Sequence, residues 1–324
     1  MGNDIESKKK FNTRRLFSSN FATLIMVLIL VIALFGLLNK NFLTYTNAMN
    51  ILFASSCIGI MAIGMAFLII SGNIDLSSGN VAAFSGILCA LLIKMGLPWP
   101  LAFFITLAVA ACIGLINATL VNGFGMQPFI ATLAVSSVFQ GLGYVICGGK
   151  GAGLNVPALI FFGAGRIFGV PVPVIILVIF FLVYSFILIK TKFGRTIYII
   201  GGNRIAAYLA GIKYKKISTF LYMQNSMLAA IAGIMMASRM HHADPQALSM
   251  GVFDAITAVI LGGVAFTGGT GSLIGVFLGL ILIQTFNNGL TVVGASAFWQ
   301  ISAKGALLII ALLIDYFRRR RAEL

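Results

Sequence analysis

The chain contains 324 residues, of which 60% are hydrophobic and 9% are charged, and its formal net charge is +15. Soluble domains carry roughly a quarter charged residues, so this composition excludes an ordinary soluble protein. It predicts an all-α, polytopic membrane protein. The positive excess is typical of cytoplasmic loops in contact with anionic lipid, and we do not expect a nucleic-acid partner.

Ten apolar runs approach the roughly 20 residues that a helix needs to cross a bilayer. In chain order they lie at 20–38, 48–70, 79–97, 99–121, 128–147, 170–190, 217–238, 252–266, 273–291 and 298–316. We therefore expect about ten transmembrane helices in a single domain that covers residues 1–324.

Basic residues are concentrated in three segments, which are the N-terminal tail (1–19), the loop at 190–216 and the C-terminal tail (317–324). Positively charged loops stay cytoplasmic, and ten spans place all three segments on the same side of the membrane. We expect both termini and the loop to be cytoplasmic in a multi-pass protein of a bacterial inner membrane.

Two carboxylates lie near membrane depth before the final helix end, those of Asp75 and Asp254. Placing an Asp in hydrocarbon costs about 2.5–3.5 kcal/mol on insertion scales, so each is expected to make a functional or structural contact inside the protein. Alternatively each caps a helix, because Asp75 precedes the third span and Asp254 stands at the start of the eighth. The sequence leaves both interpretations open.

The other polar side chains in or beside the spans are neutral. Besides the two carboxylates, the candidates for a transport pathway are Asn73, Ser77, Asn117, Gln140, Gln284 and Asn287. Such groups suffice for a neutral polyhydroxylated solute, whereas an ion-coupled carrier commonly needs intramembrane carboxylate, His or Lys relays. The alternative is that these amides only join helices.

Glycines recur at four-residue spacing around the ninth span. Gly271, Gly275 and Gly279 form a small-xxx-small pattern, which lets two helices approach closely. The chain contains no Gly-Lys-Ser/Thr phosphate loop, so we expect ATP to be bound and hydrolysed on a partner subunit. We find no catalytic constellation and no metal-ligand spacing, and expect neither an enzyme nor a cofactor.

The loop at 190–216 is patterned as a short helix. The Gly201-Gly202 pair is expected to make a turn, Asn203 is a good N-cap behind it, and Gly211 is placed to end the helix. Ala206 and Ala207 favour helix between them. This helix either rests on lipid headgroups or docks on a cytoplasmic partner, in which case we expect its small residues to meet that partner.

Three runs of the chain resemble a known family when they are taken together and in order. They are GNIDLSSG at 72–79, GRTIYIIGGNRIAAYLAGI at 194–212 and DAITAVILGGVAFTGGTGS at 254–272, and Asn288-Gly289-Leu290 continues the match. Together they resemble the permeases of ribose/xylose/galactose-type bacterial ABC importers over nearly the whole chain. The sequence departs from that pattern at Ser78, where valine is usual, and at Val252, where many relatives have glutamate, and these departures bear on the substrate more than on the mechanism.

The resemblance implies that two permease copies, or a related pair, form the path for a monosaccharide or similar small polyol. It implies an ATPase on the cytoplasmic side and an extracytoplasmic sugar-binding protein. Gly194 and the segment 201–212 would form the coupling region that the ATPase receives. Spans two to five and seven to ten would form inverted halves around a central path. The alternative is an ion-coupled transporter or channel for a small neutral solute.

Overall fold

A computed structural model describes the backbone of residues 13–323 and the side chains of residues 21–317 and Arg320. Residues 1–12 of the predicted N-terminal tail and most side chains of the basic C-terminal tail thus lie outside the described residues. The helices are α1 (Thr13–Leu38), α2 (Tyr45–Ile70), α3 (Ser78–Lys94), α4 (Trp99–Ala118), α5 (Pro128–Cys147), α6 (Pro157–Ala164), α7 (Val172–Lys190), α8 (Lys192–Gly202), α9 (Arg204–Leu209), α10 (Tyr214–Met240), α11 (Gly251–Leu261), α12 (Leu273–Val292) and α13 (Ala297–Glu323).

Eight of these helices are long and apolar enough to cross a membrane. The shorter helices α3 and α11 occupy the third and eighth predicted spans, so the prediction of an all-α protein with about ten spans is confirmed. α11 stops at Leu261, before the predicted end of its span, because Gly262 and Gly263 follow and Gly263 adopts a φ of +87°. Left-handed glycine is a common helix terminator.

Two small antiparallel strand pairs lie outside the helices. β1 (Ala152–Gly153) pairs with β4 (His242–Ala243), and β2 (Arg166–Ile167) pairs with β3 (Val170–Pro171). The first pair ties the segment after α5 to the end of α10, and the second forms a hairpin between α6 and α7.

α2 runs through the centre of the described bundle. Every side chain from Ile60 to Ile70 is at most 1% exposed. α10 packs along α2 in the opposite direction, since the Arg239 guanidinium lies 4.0 Å from the ring centroid of Phe53 while the Tyr222 hydroxyl donates to the Ile74 carbonyl. The centre of the chain, where the sequence led us to expect a path, is therefore filled by a helix.

The helices around α2 and α10 form two related sets. α10 packs against α2, α3 and α4, and α2 packs against α10, α11 and α12. In each set a long buried helix is followed by an irregular stretch and a short helix, α3 or α11, which packs on the next long helix. Because α2 and α10 run in opposite directions, this arrangement has the form of the two inverted halves implied by the resemblance.

The close packing of α11 on α12 depends on glycine. A Cβ atom at Gly275 would collide with the carbonyl oxygen of Gly262, and one at Gly279 would collide with that of Ala258. Gly271, in contrast, precedes α12 and has a φ of +147°. Only Gly275 and Gly279 therefore form the predicted ridge. Gly271 lies in the turn that leads into α12.

We expect Gly275→Ala to force α11 and α12 apart and to lower stability by about 1–3 kcal/mol, the usual cost of overpacking. The matched control is Gly141→Ala on α5, where an added Cβ meets open space and alanine is the better helix former. Thermal unfolding of both variants in mild detergent measures the difference. Equal midpoints for Gly275→Ala and the unmodified chain would contradict the close contact.

Candidate functional site

Three distant stretches of the chain meet at one end of the bundle. The Gly269 amide donates to the Ile70 carbonyl at 2.8 Å, and the Tyr198 hydroxyl donates to the Gly271 carbonyl at 2.8 Å. Burial raises the pKa of Tyr198 to about 12, so this hydroxyl stays a neutral donor. A Cβ atom at Gly201 would collide with the same Ile70 oxygen. The three runs that carry the resemblance are therefore neighbours in space.

Arg204, the first residue of α9, connects that helix to the segment between α2 and α3. Its guanidinium donates to the Gly72 carbonyl at 2.7 Å and to Asn73 Oδ1 at 3.1 Å. The Asn73 amide in turn donates to the hydroxyls of Ser71 and Ser218 at 3.1 Å and 3.3 Å. Charge-assisted hydrogen bonds thus tie α9 to the backbone that leads into α3.

Asp75 lies at the centre of a buried hydrogen-bond cluster. Its Oδ1 accepts from the Ser77 backbone amide at 2.8 Å, the Ser77 hydroxyl at 2.6 Å and the Asn117 side-chain amide at 3.3 Å. Its Oδ2 accepts from the Asn225 side-chain amide at 2.9 Å. Only the bond from the Ser77 backbone resembles capping of α3, so the main effect of Asp75 is to join α3, α4 and α10.

Asp254 lies in the first turn of α11, as the sequence predicted, but its carboxylate bonds to side chains of two other helices. Its Oδ2 lies 3.0 Å from Lys304 Nζ on α13 and accepts from the Asn287 amide of α12 at 3.5 Å. An isolated charge at membrane depth is costly, and this pairing explains how both charges are accommodated. The cluster therefore joins α11, α12 and α13.

The predicted polar residues do not form one continuous pathway. Ser77 and Asn117 bond to Asp75, and Asn287 bonds to Asp254. Asn73 belongs to neither cluster, since its side chain bonds to Arg204, Ser71 and Ser218. Gln284 is buried on α12, one turn from Asn287 of the second cluster. Gln140 is half-buried on α5 and takes part in the hydrogen bonds of neither cluster.

Lys304 and Asn225 are cluster members that the predicted set of pathway residues did not include. Lys304 is the single basic residue inside the predicted tenth span, at 298–316, and this isolation was the available signal. Asn225 is an amide inside the predicted span at 217–238, and that was its signal. Its pairing with Asp75 was not predictable, because no spacing along the chain links the two residues, which are 150 positions apart.

The α8–α9 hairpin contains the predicted short helix with one difference. Asn203 Oδ1 accepts from the backbone amides of Ile205 and Ala206 at 2.9 Å and 3.0 Å, so Asn203 is the N-cap of α9. Gly211 follows the helix with a φ of +77°. The Gly201-Gly202 pair forms the last residues of α8 and makes no turn of its own, since helical hydrogen bonding continues to Asn203.

The direction in which this hairpin leaves α7 depends on Gly194. The Thr191 hydroxyl caps α8 by accepting from the Gly194 amide at 3.1 Å. A Cβ atom at Gly194 would collide with the carbonyl oxygens of Ile187 and Leu188. Glycine at this position is therefore what allows α8 to begin so close to the end of α7.

The side chains of α9 divide sharply by exposure. Ala207 is completely buried within the chain, whereas Ile205, Tyr208 and Leu209 are 74%, 69% and 79% exposed. The expectation that Ala207 meets a partner is therefore wrong, because the helix turns this residue toward its own chain. The surface offered outward consists of large apolar side chains together with the exposed Ala206.

Comparison with known proteins identifies the family of this chain. A family described as "Branched-chain amino acid transport system / permease component" matches residues 47–312. The chain belongs to this permease family. It is therefore a multi-pass permease subunit and not an enzyme, and ATP hydrolysis takes place on a separate subunit, in agreement with the absence of a phosphate loop from the sequence.

Three curated relatives illustrate the similarity. The ribose import permease protein RbsC of Bacillus subtilis is 40% identical over 291 residues, 89% of this chain and 90% of the relative. RbsC of Escherichia coli K12 is 36% identical over 295 residues, which are 90% of this chain and 92% of the relative. The D-allose transport system permease protein AlsC of Escherichia coli K12 is 34% identical over 316 residues, 96% of each. No solved structure matches the chain significantly.

Proposed function

We propose that this chain is the permease subunit of an ABC importer for a monosaccharide or similar small polyol. The observation that carries the proposal is the 40% identity to a ribose import permease over about nine-tenths of both chains. The described interior agrees with it, because the carboxylates of Asp75 and Asp254 are engaged by donors of the chain itself. The polar groups around them are mainly amides and hydroxyls, which suit a neutral solute.

The ATPase docks on α9 in this proposal. We call Ile205, Tyr208 and Leu209 the docking face, since their exposed apolar side chains have no partner helix among the described residues. A helix of six residues buries too little apolar surface for stable anchoring in lipid, which favours a protein partner. The lysines at 213, 215 and 216 lie beside α9 and predict acidic residues on the rim of the partner's groove.

The translocation path lies between two permease copies, or between this chain and a related one. α2 fills the centre of the described bundle, with side chains from Ile60 to Ile70 almost wholly buried. A sugar therefore has no wide central channel within one chain, and a surface shared with a second permease supplies it. The extracytoplasmic sugar-binding protein meets the end of the bundle opposite α9, where α6 and the β2–β3 hairpin lie.

Reconstitution of the chain with its ATPase and binding protein tests this function. Vesicles loaded with ATP should accumulate labelled ribose or allose, and the uptake should require ATP and the binding protein. An ion-coupled carrier predicts instead uptake that collapses with the ion gradient and proceeds without the ATPase. That result would overturn the proposal.

We expect α9 to be cytoplasmic and the β2–β3 hairpin to be outside. Single cysteines at Ile205 and Phe168, both strongly exposed at opposite ends of the bundle, test this orientation in a background that lacks the four native cysteines. An impermeant maleimide should label Phe168→Cys but not Ile205→Cys in intact cells, and both after permeabilisation. Labelling of Ile205→Cys in intact cells would contradict the ten-span topology.

A further inference from the structure

Polar atoms without hydrogen-bond partners lie in the Asp254 cluster and one helical turn from it. Gln284 Nε2, a donor, and Asn287 Oδ1, an acceptor, are buried and make no hydrogen bond with the described chain. Gln284 itself is only 6% exposed. Buried polar groups of this kind are rare, and a bound molecule is one of the causes.

Asn287 contacts the ion pair directly, and the packing of α11 on α12 brings Gln284 to the same level. α11 and α12 run antiparallel, with Gly262 against Gly275 and Ala258 against Gly279. Continuing this register by one helical turn places Gln284 level with Asp254, whose Oδ2 already accepts from Asn287. One carboxylate, two amides and one ammonium therefore converge from three helices.

The Lys304 end of the cluster lies nearest the surface of the chain. The Lys304 side chain is 35% exposed while that of Asp254 is 10% exposed, so the pair opens toward one side. Asp254 lies in the first turn of α11 and Asn287 in the last two turns of α12. Both positions belong to the end of the bundle opposite α9.

We propose that Asp254, Gln284, Asn287 and Lys304 form a subsite that binds hydroxyl groups of the transported polyol. A hydroxyl both donates and accepts, so it can bond the Asn287 oxygen and the Gln284 amide that lack partners. Because the Asp254–Lys304 pair is internally neutralised, the subsite suits a neutral solute more than an ion. This inference rests on the proposed function and locates the subsite on the side where solute enters.

Gln284→Met tests the subsite with little change in shape, since methionine is similarly long and flexible. It removes the donor and leaves the Asp254–Lys304 pair intact. We expect uptake of whichever of ribose and allose the unmodified transporter accepts to fall at least tenfold, with unchanged thermal midpoint and ATPase co-purification. The control, Asn50→Met, changes an exposed amide on α2 and should transport normally.

If Gln284 had only a structural role, Gln284→Met should transport normally. Removing a buried amide that has no hydrogen-bond partner should leave stability unchanged or improve it. Uptake by Gln284→Met within twofold of the control would mean that water alone satisfies these atoms and would overturn the subsite. If Gln284→Met does not assemble, uptake by Asn287→Leu is compared with the same control and tests the subsite instead. Failure of the unmodified chain to take up either sugar with its ATPase would instead overturn the proposed function and the subsite together.

Discussion

Leu209→Glu should abolish co-purification of the ATPase while the permease remains inserted and folded. Leu209 is 79% exposed on the docking face, so the folded chain tolerates a charge there. Burial of a carboxylate in an apolar groove of the partner costs several kcal/mol, which corresponds to at least a hundredfold loss of affinity, since about 1.4 kcal/mol is a factor of ten. Substrate-stimulated ATP hydrolysis in the reconstituted complex should be lost in parallel.

The matched control is Phe168→Glu, which makes the same kind of change at a fully exposed residue on the opposite end of the chain. It should retain the ATPase. If α9 only rested on lipid headgroups, Leu209→Glu would weaken that contact and leave the ATPase bound. Normal association and uptake in both Leu209→Glu and Ile205→Glu would refute the docking face. Ala207→Glu is a poor probe, since Ala207 is buried and the charge would disturb the hairpin itself.

Asp75→Leu should be among the most destabilising single changes in the chain. It leaves the buried Asn225 amide and the Ser77 backbone amide without the acceptor that they now share. Each unsatisfied buried group costs about 1–3 kcal/mol, so a total loss of roughly 3 kcal/mol or more is expected. The thermal midpoint in mild detergent and the yield of monodisperse protein measure the effect.

Asp75→Asn should be tolerated far better. The Asn225 Oδ1 atom lacks a partner in the described structure, so rotation of the Asn225 amide by half a turn would let it accept from the introduced asparagine side chain. One good hydrogen bond is thereby kept between α3 and α10, and the Ser77 bonds are unaffected. A variant Asp75→Asn as unstable as Asp75→Leu would show that the negative charge, and not the hydrogen-bond geometry, holds the cluster.

Much of the architecture was accessible from the sequence. The eight long helices and the shorter α3 and α11 were predictable because crossing a bilayer requires local runs of apolar residues, and a run needs no knowledge of its neighbours. The N-cap at Asn203 and the terminating Gly211 were predictable for the same reason, since capping involves residues only a few positions apart. Absence of a phosphate loop from the chain likewise pointed to a separate ATPase.

Contacts between helices were decided only by the tertiary structure. Asp75 bonds to Asn225 across 150 positions and Asp254 to Lys304 across 50, and no local pattern specifies which polar side chains meet at such separations. The sequence analysis assigned Gly271 to the same helix as Gly275 and Gly279 because the three residues are four positions apart. Such spacing does not show where the helix begins, and α12 begins at Leu273. The sequence predicted that Ala207 faces a partner, whereas it is buried in its own chain. In a helix of six residues the buried face is determined by the elements that pack against it, and composition alone does not reveal them.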